Sequence, residues 1–194
     1  MAALELNGSS SCAHVYQIIS SIIPFDDQEK SQIKDALAWV KSGAPIFRIA
    51  KPDIPNKHLA ASCVIFDEGA SKILLVDHKN AKRWLPAGGH VEIDENPQET
   101  ARRECLEELH IAADFWQPDP LFLTSTLTVG LTAGHTDVTL WYVLRGNSEI
   151  DYSFDADEFN GIKWFHFDDI PYENSDPHIQ RFISKLISTI TQLN

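Results

Sequence analysis

Glu104, Glu107 and Glu108 crowd three carboxylates into five residues, and their surroundings read as a helix. Asn96 supplies an N-cap, Pro97 suits the first helical position and Glu99 the third, so the helix is expected from about Pro97 to Leu109. At about 100° per residue, Glu108 falls about 40° to one side of Glu104 and Glu107 about 60° to the other, so the three share about 100° of arc. Ala101, Cys105 and Leu109 form a narrow apolar stripe beside them. Such a helix packs on a sheet while holding its carboxylates at the margin of the core. Like charges this close repel unless cations bind between them. Mg²⁺ or Mn²⁺ suits the need, because these ions take carboxylate oxygens, keep several waters and complete their shells with substrate phosphates. Taken alone, the same residues are also consistent with a solvated acidic helix face.

Other side chains are candidates for reading a substrate. In GHTDVTLWY, His135 and Asp137 lie two apart on one face of a strand, where they either contact a ligand or cap the strand edge. His90 follows the Gly88-Gly89 pair and is a further candidate contact. Arg83, like Arg48, Lys79 and Lys82, can meet phosphates or remain a solvated surface charge. Trp84, Trp141 and Tyr142 can stack a base, although core packing accounts for at least one of them. Cys105 faces the sheet and reads as a small apolar filler rather than a nucleophile.

The elements that must position these residues follow from periodicity. Val15, Ile18, Ile19, Ile22 and Ile23 recur at helical spacing until Pro24 stops the pattern. A second helix starts at Asp26, with Glu29 completing a capping box, carries Ile33, Leu37 and Val40 as its stripe, and ends at Gly43. Pro45, Pro52 and Pro55 punctuate an extended connector. From Leu59 the period shortens toward two. Leu59 to Phe66 and Lys72 to Val76 read as strands joined by a short DEGA loop, Leu121 to Val129 and Val138 to Leu144 as a second pair, and Ile162 to Phe167 as a later strand. A last helix is capped by Asp176, has Pro177 at its first position, and buries Ile179, Phe182, Ile183, Leu186, Ile187 and Ile190. Strands, a helix, more strands and a last helix imply a mixed α/β sandwich. The divisions expected are 1–44 as a helical extension, 45–58 as connector and 59–194 as the main domain.

Composition bounds the function. The chain has 194 residues, 43% of them apolar, enough to bury a core. A net charge of −12 and a pI near 5.0 argue against a grip on nucleic-acid polymers or an anionic membrane surface. An acidic protein that handles an anionic substrate needs cations as intermediaries. Cys12, Cys63 and Cys105 are odd in number and lack metal-type spacing, which fits reduced thiols. The apolar run at Ile18 to Ile23 is too short to span a bilayer, and Met1 to Ser11 lacks the positive region of a signal peptide, so a cytoplasmic protein is expected.

The string Gly89, five residues, Glu95, seven residues, Arg103-Glu104-Cys105-x-Glu107-Glu108-x-His110-Ile111 resembles the Nudix box, GX5EX7REUXEEXGU, where U is aliphatic. Every charged position is kept. Two positions depart: Cys105 stands where a larger aliphatic is usual, and His110 where the family has Gly. WLPAGGHVE is similar to the usual approach to that box, and the strand order extends the likeness over Leu59 to Phe167.

The resemblance implies a Nudix-type α/β/α sandwich with a mixed sheet, preceded by the helical extension. It also implies a metal-dependent pyrophosphohydrolase. By position, Glu104, Glu107 and Glu108 would hold Mg²⁺ or Mn²⁺, with the Gly89 carbonyl as a further ligand, and Glu95 and Arg103 would pair to fix the loop on the helix. Glu107 or Glu104 would take the proton of the attacking water, with Asp155, Asp157 or Glu158 as rivals. The substrate would be a nucleoside diphosphate linked to another moiety, either a dNTP or NTP or a nucleotide-sugar, dinucleotide or CDP-alcohol. The alternative is a catalytically weak Nudix-like module that senses a nucleotide or docks a partner. Residues 1–44 then serve as a homodimerisation arm, a docking arm, or a cover over one sheet edge. The departure at His110 should cost local stability, since the left-handed conformation expected there disfavours residues other than Gly, while leaving metal binding intact.

Overall fold

Alternate residues of one long strand point to two separate cores. Leu59, Ala61, Cys63 and Ile65 enter one apolar cluster, and Val64 and Phe66 enter the other, as a period of two requires when both faces are covered. The computed structural model describes residues 10–50, 54–128 and 134–193. In chain order the elements are α1 (Ser10–Ser21), α2 (Asp27–Lys41), β1 (Lys57–Asp67), β2 (Lys72–His78), β3 (Arg83–Leu85), β4 (Ala87–His90), α3 (Pro97–Leu109), β5 (Phe122–Leu127), β6 (Thr136–Arg145), β7 (Phe159–His166) and α4 (Ile179–Leu193).

Strand β1 is the spine. It pairs in parallel with β6 from Lys57↔Thr136 to Phe66↔Arg145, while its other edge is shared by β4 at Ala60 to Cys63 and β2 at Ile65 to Asp67. Strand β2 continues to β3 and β7, and β6 to β5, giving a mixed seven-stranded sheet. Helices α1, α2 and α3 bury their stripes in the first cluster, and α4 buries Ile179, Phe182, Ile183 and Leu186 in the second. This is the expected α/β/α sandwich. Among the described residues no helix is long and apolar enough to cross a membrane.

Helix α2 also covers a sheet edge. Glu29 accepts from the β5 amide of Leu123 at 3.2 Å, and Gln32 donates to the Ser125 carbonyl at 3.2 Å, so two side chains one turn apart satisfy outward backbone groups two residues apart on β5. The same Glu29 is fully buried and meets Lys185 Nζ of α4 at 2.8 Å. Arg181 forks onto Asp26 at 2.6 and 2.8 Å. The helical pair is thus strapped across β5 to the helix on the opposite face.

Several boundaries differ from the sequence reading. The capping box is shifted by one residue: Asp26 accepts from Glu29 N as expected, but Glu29 reaches back to Phe25 N, because its other oxygen is held by Leu123 and Lys185. α1 ends at Ser21, which leaves Ile23 81% exposed beyond the helix. α4 begins at Ile179, since the Asp176 side chain caps a preceding turn through His178 N, and Ile187 is exposed on the outer side. Lys57 and His58, expected in the connector, begin β1. β3 and β4 are strands the sequence did not suggest, because Pro86 and the Gly-Gly pair mask their short extended runs. Val129, Pro52 and the segment Met1 to Ser9 lie outside the described residues.

Candidate active site

Helix α3 forms where expected. Asn96 Oδ1 accepts from Gln98 N at 2.9 Å, Pro97 opens the first turn, and Ala101, Cys105 and Leu109 are buried against the sheet. His110 ends the helix with φ 55° and ψ 31°; its N–H donates to Leu106 O and that of Ile111 to Cys105 O, the paired bonds of a left-handed C-terminal cap. Its Nδ1 lies 3.0 Å from Ser153 Oγ.

The glycines before the helix bring backbone against carboxylate. Gly88 N donates to Glu108 Oε2 at 2.7 Å, and Gly88 has φ 144°, with the space for a Cβ filled by the Ala61 carbonyl. A Cβ on Gly89 would collide with the Glu104 carboxylate. Glycine at 88 lets β4 lie close against β1, and glycine at 89 lets it approach Glu104.

Arg103 organises the acidic group. Its Nε and Nη2 fork onto Glu95 at 3.0 and 3.1 Å, and Nη1 reaches Glu104 at 2.7 Å and Glu107 at 3.2 Å. Thr100 Oγ1 and Glu92 N donate to the same Glu95 carboxylate. Burial opposes ionisation of Glu95, yet the Arg103 and Thr100 hydrogen bonds hold it below the usual carboxylate range. Glu104 and Glu108 are in the opposite condition. Burial pushes Glu104 up against the pull of Arg103, and burial drives Glu108 up to about 9, reinforced by Glu104 and Glu158 and opposed by the Gly88 N–H. Two half-compensated carboxylates therefore meet at the floor of one cleft.

That cleft has a volume of about 660 Å³ and is lined by Gly89, His90, Glu104, Glu108, Arg48 and Glu158, among others. Of the expected residues, Glu104, Glu108, Gly89, Arg103 and His90 converge on it. Glu107 does not line it; its side chain is 60% exposed on the helix flank, bonded to Arg103. Arg83 is turned away, donating to the carbonyls of Ser175 and Glu173. Of the three carboxylates in the later loop, Glu158 alone is among the lining residues, while Asp155 is tied by its amide to the Glu108 carbonyl and by its side chain to Asp157 N. Trp141 and Tyr142 are core residues and Trp84 packs edge-on against Phe165, so none of the three faces the cleft.

His135 and Asp137 stand behind His90, and the structure adds a fourth member that sequence spacing did not reveal. His58 Nε2, His135 Nε2 and His90 Nε2 lie 3.1, 3.3 and 3.6 Å from one atom, Asp137 Oδ1. His58 is separated from Asp137 by 79 positions in sequence but is its direct partner in the parallel β1–β6 register. Only pairing β1 with β6 in that register would have found it. Burial pushes the His58 imidazole down, and the Asp137 carboxyl, although partly buried, is held below its usual range by His90, His135 and His58.

Comparison with known proteins agrees with this geometry. A Lactococcus lactis protein named as a probable DHNTP pyrophosphohydrolase is 41% identical over 54 residues, 28% of this chain; the match spans 31% of that relative's length. A NUDIX family hydrolase from Clostridium perfringens superposes with a TM-score of 0.55 at 23% identity, over 69% of this chain and 97% of its own. The NUDIX domain of Shewanella oneidensis NrtR, solved with ADP ribose, gives 0.54 at 19% identity, over 68% of this chain and 87% of its own. The profile described as NUDIX domain matches residues 56–186, well over half of the sequence, and the chain belongs to that family.

Proposed function

We infer that the chain is a metal-dependent pyrophosphohydrolase acting on a nucleotide-type small molecule. The observation that carries this reading is the pair of half-compensated carboxylates, partly buried Glu104 and buried Glu108, set against a glycine pair in an open cleft. Two carboxylates raised by burial and by repulsion from neighbouring carboxylates, Glu158 common to both, are a donor set that a hard divalent ion would relieve. Glu104 and Glu108, with the Gly89 carbonyl, would hold Mg²⁺ or Mn²⁺, which when bound supplies neutralisation of pyrophosphate charge and activation of water.

The protein's own residues supply the rest. Arg103 fixes the Glu104 carboxylate through Nη1 while its Nε and Nη2 are locked on Glu95, so the ligand atom is oriented before substrate arrives. The Gly88 N–H holds Glu108 in place. Glu104 and Glu158 face the cleft and are the groups positioned to take a proton from the attacking water; Glu107, on the flank, would serve through Arg103. Arg48 on the cleft wall would meet substrate phosphate or its leaving group, and Ile49 and Ile93, both largely exposed, offer apolar surface to a heterocycle.

A screen for phosphate and nucleoside monophosphate products with Mg²⁺ tests this. The panel holds dNTPs, oxidised nucleotides, a pterin triphosphate (suggested by the name of the Lactococcus lactis relative), ADP-ribose, dinucleoside polyphosphates, UDP-sugars and CDP-alcohols. Glu108→Gln is the blank. Turnover of one class, absent from the blank, is expected. Binding without turnover across the panel would replace hydrolysis with nucleotide sensing.

A further inference from the structure

We propose that His58, His90, His135 and Asp137 form a separate binding site for one divalent transition-metal ion of the zinc class, with three imidazole nitrogens and one carboxylate oxygen as ligands. The four ligand atoms lie within 4.8 Å of one another. A regular tetrahedron with metal–ligand bonds of about 2.0–2.1 Å has edges of about 3.4 Å, and the three edges from Asp137 Oδ1 measure 3.1, 3.3 and 3.6 Å. Three of the six edges thus stand near tetrahedral length, and the imidazole nitrogens lie within 4.8 Å of one another, so a small contraction would close the set on an ion.

Proton placement at His58 favours a cation there. His58 Nδ1 lies 2.7 Å from the Pro55 carbonyl, which can only accept, so Nδ1 carries the hydrogen and Nε2 presents its lone pair. That lone pair is fully buried and aimed at a carboxylate oxygen, another acceptor. His58 Nε2, His90 Nε2 and Asp137 Oδ1 are all buried atoms with no hydrogen-bond partner, because their short approaches lack hydrogen-bond geometry. His58 Nε2 and Asp137 Oδ1, two buried acceptors 3.1 Å apart, are unfavourable together unless a positive charge sits between them. A proton on His58 would provide one only by burying an imidazolium. A metal ion would satisfy these three atoms at once and take His135 as its fourth ligand.

The surroundings match what metal-binding histidines need. The Pro55 carbonyl fixes the His58 ring, and Thr128 Oγ1 lies 3.1 Å from His135 Nδ1, so two ligands are oriented by their distal nitrogens. Strands β1, β4 and β6 carry His58, His90 and Asp137, and His135, one residue before β6 begins, is tied through its carbonyl to Thr128 N and Oγ1, so sheet register fixes three of the four ligands. His58 and His135 close the site from behind. His90 and Asp137 are 26% and 22% exposed, which leaves an entry from the cleft. Imidazole-rich sets favour zinc, copper, iron or nickel, whereas the all-oxygen glutamate set favours magnesium or manganese. The two sites should therefore separate by metal.

The test is a Co²⁺ titration of chelator-treated, dialysed protein in excess Mg²⁺, followed by visible absorption. One equivalent should bind with the intense d–d bands of a four-coordinate site, be displaced by one equivalent of Zn²⁺, and persist in Glu108→Gln. Asp137→Asn and His135→Gln should each weaken binding by at least 10-fold, with circular dichroism confirming that they fold. Absence of the bands in the wild-type protein would overturn the proposal whatever the variants do. So would their loss to excess Mg²⁺ or in Glu108→Gln, since the cobalt would then belong to the glutamates. Because the readout is binding, failure of hydrolysis in the product screen leaves this result unaffected.

Discussion

Replacing Glu108 by Gln should have opposite effects on stability and activity. In the metal-free protein the Glu108 carboxyl is pushed from its usual 4.5 up to about 9, chiefly by burial, with Glu104 and Glu158 adding repulsion. A raised acid favours folding fully below its unfolded value, and that contribution is lost as pH climbs through the folded one. Between pH 4.5 and pH 7 the lost stability amounts to about 3 kcal/mol at 1.36 kcal/mol per pH unit. Gln keeps the acceptor for the Gly88 N–H and nearly the same shape, but has no charge to desolvate.

The assay is thermal unfolding with a chelator from pH 4 to pH 8.5. At the lowest pH wild type and Glu108→Gln should coincide; near pH 7 the variant should melt about 6–12 °C higher, as expected for about 3 kcal/mol in a protein of this size. With saturating Mg²⁺ the wild type gains the free energy of ligand binding and the order should narrow or reverse. Turnover in the variant should fall by 10²-fold or more, the scale of several kcal/mol of transition-state stabilisation. A variant no more stable than wild type at pH 8 without metal would show that Glu108 is not an uncompensated charge, and the reading of the cleft would fail with it.

Glu29→Ala should cost about 3–5 kcal/mol in urea unfolding, because it leaves Lys185 and the Leu123 amide without their buried partner; adding Lys185→Met should restore part of it, and a loss under about 1 kcal/mol would show that α2 is not strapped to the domain. His110→Gly should raise stability by about 1 kcal/mol by relieving a left-handed φ of 55°, with turnover unchanged; a loss of stability would mean that the contact with Ser153 outweighs the strain. Arg103→Lys should fold normally but lower turnover about 10- to 100-fold, since a point charge cannot fork onto Glu95 while holding Glu104; retained turnover would remove Arg103 from the orienting role.

What could be read from the sequence depended on how far apart the cooperating residues lie. Helix α3, its cap at Asn96 and its buried stripe were visible because a helix brings together residues three and four apart. The Arg103–Glu95 pair was implied by the family likeness, eight positions apart across one loop. The different exposure of Glu104 and Glu107 was not visible, because a wheel angle says nothing about where the opposing β4 backbone lies; Gly88 and Gly89 close over Glu108 and Glu104, and Glu107 lies outside their reach. His58 was invisible as a partner of Asp137, since parallel register between distant strands leaves no local periodicity. Glu29 read as a helix cap, and it is one, but its second role needed the position of β5 and α4.

Strand β4 runs from the carboxylate cleft to the histidine cluster, and its part in both can be tested through Gly88. Its four residues pair with Ala60 to Cys63, placing Gly88 and Gly89 against the glutamates and His90 against the histidine cluster. A one-residue slip would turn His90 to the opposite face and remove the Gly88 N–H from Glu108. Gly88→Ala adds a Cβ where the Ala61 carbonyl and Ser62 Cα already stand, at a φ of 144° that a non-glycine residue adopts only under strain. The strand must then shift away from β1, moving both sets of ligands together. Turnover and the cobalt bands should therefore both fall in Gly88→Ala, whereas Glu108→Gln loses turnover alone and Asp137→Asn loses the bands. If Gly88→Ala removes turnover but keeps cobalt binding at full strength, β4 does not couple the two sites, and the histidine cluster is held by β1 and β6 without it.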